Sequence, residues 1–168
     1  TDDSRQLVTT YEGATIESKE WSKLTLNAGR FWKIATRESS NQEDIYLFGD
    51  SPAQSSDGLN FAGARYDFTP ALNTTYYFAQ LEDIYRQHYA AAAYTWDIGD
   101  GYSLKTDLRY YNTQDEGAKL SGDFDNRSIG VMTALRKGAH TFTLAYQRMN
   151  GDDAFPLLNG YAPQAFLV

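Results

Sequence analysis

Along residues 102–111 the chain alternates between two chemistries. Tyr102, Leu104, Thr106, Leu108 and Tyr110 fall on one parity; Ser103, Lys105, Asp107, Arg109 and Tyr111 fall on the other. Successive side chains of a β-strand point to opposite faces, so this segment predicts a strand with one apolar face and one charged face. Helical periodicity is hard to find, whereas this alternation recurs. Ile129, Val131, Thr133 and Leu135 oppose Ser128, Gly130, Met132, Ala134 and Arg136, and His140, Phe142, Leu144 and Tyr146 oppose Thr141, Thr143, Ala145 and Gln147. Within 89–98 the outer set is Ala90, Ala92, Tyr94, Trp96 and Ile98.

The same pattern predicts strands near 8–18, 23–35, 58–69, 74–83, 85–97, 102–113, 125–136 and 139–149. Most reach the roughly 9–11 residues that a tilted membrane strand needs, and exceed the about 5–6 usual in soluble sheets. The connections alternate too. Short turns fall at Trp21-Ser22-Lys23, Thr69–Asn73, Gly99-Asp100-Gly101 and Lys137-Gly138, and long polar loops at 36–58, at 114–124 and from 150 onward. The tight turn at Glu82-Asp83-Ile84-Tyr85-Arg86 breaks the rule on the long-loop side. Short turns at one end and long loops at the other are the pattern of an outer-membrane barrel; a Greek-key sandwich would mix them. Trp21, Tyr66, Phe68, Trp96 and Tyr102 beside the short turns, and Tyr85, Tyr110, Tyr111 and Tyr146 near the long loops, read as two interfacial girdles, or simply as aromatics that favour strands.

Composition sets bounds. Hydrophobic residues make up 42% of 168 and mean hydropathy is −0.56, too polar for spanning helices of about 20 apolar residues. A barrel wall escapes that limit because only alternate side chains meet lipid. The absence of cysteine removes disulfides, thiolate metal sites and cysteine nucleophiles. A net charge of −7 argues against a nucleic-acid partner, which needs a basic stripe. The start at Thr1 shows no secretory signal, which an outer-membrane protein needs, so the sequence is expected to be mature, truncated or both. No nucleophile elbow or zinc-ligand pair appears, and His88 and His140 fall on lipid-side or rim parity, so an enzyme is not expected, nor a metal or cofactor.

Several segments in order carry a family resemblance: Arg65-Tyr66-Asp67-Phe68-Thr69, Gln80-Leu81-Glu82-Asp83-Ile84-Tyr85-Arg86-Gln87, Asp107-Leu108-Arg109-Tyr110-Tyr111-Asn112-Thr113, the run from Ala139 to Gln147, and Gly151-Asp152-Asp153-Ala154-Phe155-Pro156. Together they resemble the OprD-type outer-membrane carboxylate channels, over nearly the whole chain. That resemblance implies an all-β, antiparallel up-and-down transmembrane barrel of roughly 16–18 strands, monomeric, in a bacterial outer membrane, with loops folded inward to narrow the pore. Residues 1–168 would be a partial barrel domain, the middle portion of that wall, ending in an inward constriction loop from 150. An arc of eight strands alone would leave edges that lipid does not tolerate. The expected partners are small carboxylate solutes, outer-membrane lipid and lipopolysaccharide.

Passing an anion through a narrow water path needs fixed positive charge along one side. The resembled family uses a ladder of basic side chains, chiefly Arg, and the match equates Arg5 with one of them. Parity alone puts Arg65, Lys105, Arg109 and Arg136 on the polar face. Strict alternation sets Arg30 beside Leu24, Leu26 and Ala28, facing lipid, where charge at mid-depth costs about 2–4 kcal/mol. Either a bulge at Gly29 turns Arg30 inward, into the pore-lining set, or Arg30 lies at the rim. Lys105, Asp107 and Arg109 share a face and Asp67 accompanies Arg65, so internal ion pairs are expected. Asp152 and Asp153 read either as an acidic patch in the constriction loop, opposite the basic ladder, or as turn residues beside Asn150-Gly151. Other loop charges, such as Arg37, Glu38, Asp115, Glu116 and Lys119, are expected to be solvated.

Two further classes fit parts of the pattern. A self-contained eight-stranded structural or adhesive barrel would fill its interior with side chains rather than water. A soluble lipocalin-like binder would fold without detergent.

Overall fold

A computed structural model describes residues 9–36, 41–47, 49–151 and 155–156. Strand β1 spans Thr10–Trp21, β2 Leu24–Ala35, β3 Leu59–Asp67, β4 Leu72–Leu81, β5 Tyr85–Gly99, β6 Tyr102–Asp115, β7 Asp125–Lys137 and β8 His140–Asn150. They form one antiparallel sheet in sequential order. β1 and β8 each have one neighbour among the described residues, whereas the self-contained small barrel would require them to pair.

The turns follow from local chemistry. Asp100 and Gly101 both adopt positive φ (52° and 76°), which a two-residue hairpin turn needs to match the twist of its strands. β4 begins at Leu72, two residues earlier than expected, because the Thr69 hydroxyl accepts the backbone N–H groups of Ala71 and Leu72 and tightens the turn. The β1–β2 register shifts at Glu12/Gly13, where Trp32 is an extra residue of β2, and at Ser18/Trp21, where β1 carries the extra residue; the β2–β3 register is unbroken through Gly29.

Pairing assigns the faces. Odd residues of β2 as far as Phe31 and of β3 to β6, even residues of β7 and odd residues of β8 share one side, called inner because loop segments fold over it; past the extra residue Trp32 the parity of β2 flips and Ile34 enters the inner cluster. The outer side exposes Trp96, Leu108, Ile129, Phe142, Leu144 and Tyr146. So large an apolar surface is what a lipid-facing wall presents, and far exceeds the patches of a soluble monomer. Trp21, Tyr66, Phe68, Trp96 and Ile98 gather near the short turns on this side.

Apolar burial is concentrated at the long-loop end of the inner side. Ile45 and Leu47 of the β2–β3 connection pack with Leu59, Leu81, Tyr85, Ile84 and Phe124, against Phe31 and Ala79. The connection is pinned by antiparallel bridges from Ile34 to Glu43 and from Ile45 to Ser56. It is clasped to the β6–β7 loop, where Gln54 donates to Leu120 O and Ser121 Oγ to Asp50. The β4–β5 turn joins the same layer: Glu116 accepts from Asp83 N and Gln80 Nε2, and Asp83 Oδ1 accepts from Ala118 N. The expectation of merely solvated loop charges is corrected here for Asp115, Glu116 and Lys119. Lys119 Nζ sits 2.7 Å from Asp115 and 2.6 Å from Asp123. Those two hydrogen bonds hold its ammonium well above the usual lysine range.

Candidate functional site: the inner wall

Reading across the paired strands, the inner wall is striped. Nearest the long loops runs the apolar row Phe31–Leu59–Leu81–Tyr85. Two steps further along the strands comes a row rich in tyrosine: Asn27, Gly63, Tyr77, Tyr89, Tyr111 and Ser128. The Tyr89 and Tyr111 ring centroids are 4.6 Å apart, Asn27 Nδ2 donates to the Tyr77 hydroxyl at 3.0 Å, and Phe155 meets Tyr111 edge-on at 5.6 Å. Tyr77 lies flat across Gly63, where any side chain would collide with the ring. Parity had separated Tyr111 from the apolar set but missed Tyr77 and Tyr89, whose odd positions would have signalled the row had the β4–β5 register been known. Tyr85 and Tyr111, 4% and 7% exposed, are inner residues and belong to no lipid-facing girdle.

The next row holds the central cations: Thr25, Arg65, Thr75, Ala91, Arg109, Gly130 and Gln147. Below it Asp67, Asn73, Ala93, Asp107 and Met132 align, then Thr95, Lys105, Ala134 and Thr143, then Asp97, Ser103, Arg136 and Thr141. Charge therefore changes sign along each strand. The expected ion pairs form: Arg65 Nη2–Asp67 Oδ1 at 3.1 Å and Lys105 Nζ–Asp107 Oδ2 at 3.2 Å. Arg136 reaches toward Gly138 O at the short-turn rim. The wall is thus not a plain basic ladder, because an acidic row backs the row of arginines.

Arg30 requires a correction. No bulge forms at Gly29, and Arg30 opposes Asn60 on the outer side, level with Gln80 and Arg86. Its guanidinium grips Glu82 with both nitrogens, at 2.8 and 3.0 Å, and Asn60 donates to the same carboxylate. At this end the polar outer row Arg30–Asn60–Gln80–Arg86 opposes the apolar inner row, so the two faces exchange polarity without a change of register. Arg30 is a rim residue outside the inner wall. Arg5, Asp152 and Asp153, like Arg37 and Glu38, lie outside the described residues.

An open, sequentially ordered sheet with one hydrocarbon-facing side and one hydrated side meets its relatives at this point. The model of the family described as outer membrane porin, OprD family, matches residues 1–168. The chain belongs to the OprD family. It is 39% identical over 154 residues to Porin D of Pseudomonas aeruginosa, covering 90% of this chain and 34% of that protein. Among solved structures, Pseudomonas aeruginosa OpdL superposes with a TM-score of 0.88 at 49% identity, over 96% of this chain and 44% of its own. Pseudomonas aeruginosa OpdK, solved with vanillate, gives 0.88 at 33% identity, over 97% and 43%. The chain therefore spans less than half the length of these OprD-family relatives. Its sheet is part of an integral outer-membrane β-barrel, and its relatives are channels rather than enzymes.

Proposed function

We propose that the complete protein is a monomeric channel for small carboxylate-bearing solutes, such as amino acids and organic or aromatic acids. In this part of the wall Arg109 is the cation they meet. The observation that carries the reading is the row Ala91–Arg109–Gly130, next to the tyrosine row. A methyl group and a hydrogen flank the arginine across the strands, so no bulky inner side chain stands beside it in its row. Its planar fork suits a carboxylate. The Tyr77, Tyr89 and Tyr111 rings offer an apolar rail for the rest of the solute. Asp107, one inner step beyond, limits the positive field, so an anion is attracted at Arg109 and released rather than trapped. That OpdK was solved with vanillate, a carboxylate, supports the solute class.

Arg65 shares the row of Arg109 across three strand spacings, about 14 Å along the arc. With Lys105 and Arg136 it lines the same path, tuned by neighbouring acids. Arg5 joins this set through the family resemblance. The contact of Phe155 with inner-face Tyr111 supports an inward-turning segment after β8, in which Asp152 and Asp153 help narrow the path.

The test is liposome swelling by the complete protein, with a carboxylate and a neutral solute of equal size. Arg109→Ala is expected to lower the carboxylate-to-neutral rate ratio about five-fold, as loss of one charge-assisted contact of about 1 kcal/mol implies, and Arg5→Ala to lower it in the same direction. A wild-type ratio of one would contradict the solute class; an unchanged ratio in a variant would remove that residue from the path.

A further inference from the structure

The outer face carries a feature that solute passage does not use. A groove of about 600 Å³ opens on it across β3 to β7, and its floor follows β5. Alternation brings Ala90 and Ala92 outward, and the paired rows set bulk on both sides: Tyr76–Ala90–Tyr110 and Thr74–Ala92–Leu108. Two small residues between Tyr76 and Thr74 on one side and Tyr110 and Leu108 on the other leave a trough along β5 that can take an alkyl chain, in a surface that faces hydrocarbon.

The trough has a charged head. The next outward residues of β5, toward the long loops, are His88 and then Arg86. The Tyr76 hydroxyl meets His88 Nδ1 at 2.7 Å beside the upper end of the trough. Arg86 is exposed; its described hydrogen bond goes to the neutral Gln114 amide at 3.0 Å, and its guanidinium has no carboxylate at ion-pair distance among the described residues. Arg127 stands two strands along, opposite Asn112, with Asp125 at 3.8 Å. Arg86 and Arg127 are thus separated by two strand spacings, about 10 Å laterally, a span that one phosphorylated headgroup bridges. The long-loop end of such a barrel faces outward, where the outer leaflet is built of lipopolysaccharide.

We propose that this face is a binding site for one lipopolysaccharide molecule, with an acyl chain along Ala90 and Ala92 and a phosphate of its lipid A at Arg86 and Arg127. Charge complementarity selects the occupant: a zwitterionic phospholipid would fill the trough equally well but bring no net negative charge to the two arginines. The inference goes beyond solute passage and stands on the outer-membrane setting of the sheet alone.

Native mass spectrometry of the complete folded protein with diphosphorylated lipid A tests it, with dephosphorylated lipid A and phosphatidylglycerol as parallel arms. Wild type is expected to retain one diphosphorylated lipid A, at least about ten-fold more tightly than the dephosphorylated form. Ala90→Trp fills the trough from a lipid-exposed position and should abolish retention, with Ala92→Phe as a second variant should the first fail to fold. Arg86→Gln should weaken the phosphorylated form about five-fold and leave the dephosphorylated form unchanged. Retention by folded trough-filled variants at wild-type strength would overturn the site. Equal retention of phosphatidylglycerol, with the same sensitivity to both substitutions, would overturn lipopolysaccharide as its occupant.

Discussion

The inner wall has two halves built from the same strands, and they differ completely. Toward the long loops Phe31, Leu59, Leu81 and Tyr85 are covered by Ile45, Leu47 and Phe124, and even the polar Thr113, Asn126 and Ser128 are almost fully buried. Toward the short turns Arg65 and Lys105 keep about half of their side-chain surface exposed, beside Asp67 and Asp107. Strand register is continuous between the halves, so alternation alone does not decide what an inward residue meets. What decides it is the layer above. A loop that returns over the wall turns the upper half into a small apolar core, while the lower half carries the charged rows outside that layer. The tyrosine row marks the border.

The largest expected difference is in stability. Leu81 is fully buried in the upper cluster, and Leu81→Ala should destabilise the complete protein by about 3 kcal/mol and speed proteolysis within 41–56. Thr143→Ala, exposed in the lower half, should stay within about 0.5 kcal/mol. Denaturant unfolding of both variants checks the contrast, and equal losses would break it.

A smaller effect separates the rim from the wall. Arg30→Ala removes a two-pronged but partly exposed pair with Glu82, at a cost of about 1 kcal/mol. It should leave the carboxylate-to-neutral ratio at its wild-type value, whereas Arg109→Ala should not. Swelling rates for the two variants side by side provide the check, and a selectivity change in Arg30→Ala would return that residue to the path.

The smallest effect concerns the loop layer. Because the folded-state pKa of Lys119 is raised, its bonds to Asp115 and Asp123 contribute fully below the unfolded lysine value of about 10.4, and the contribution is lost as pH rises through the folded value. Lys119→Met should therefore increase proteolysis within 116–124 modestly at pH 8, and the gap from wild type should close only in strong alkali. A gap that closed near neutral pH would show that the cluster does not hold this loop.

The sequence made the lower half legible and much of the upper half not. In β6 and β7, Lys105, Arg109 and Arg136 share the inner side, and Leu104, Leu108 and Leu135 the outer side, so parity groups them as the strand pairing does. Arg30 resisted because parity assumes one environment per face along a whole strand, whereas here the faces exchange polarity near the long loops. No bulge was needed; the charge had moved out of the hydrocarbon zone to meet Glu82. The inward return of the β2–β3 connection was invisible locally, since Ile45 and Leu47 are isolated apolar residues in a polar stretch and their partners lie on four strands and two other connections. The turns were legible because Asp100-Gly101 and Gly138 state their conformations directly.

Single cysteines placed through 103–106 and 131–136 of the complete membrane-embedded protein, with any cysteine outside these 168 residues replaced, can be probed one at a time with a charged, membrane-impermeant thiol reagent. The account predicts reaction at odd positions of β6 and at even positions of β7, with the remaining positions protected by lipid. The phase must reverse between the two strands. Reaction at every position, or the same parity in both strands, would contradict a wall with one face in hydrocarbon and the other in water.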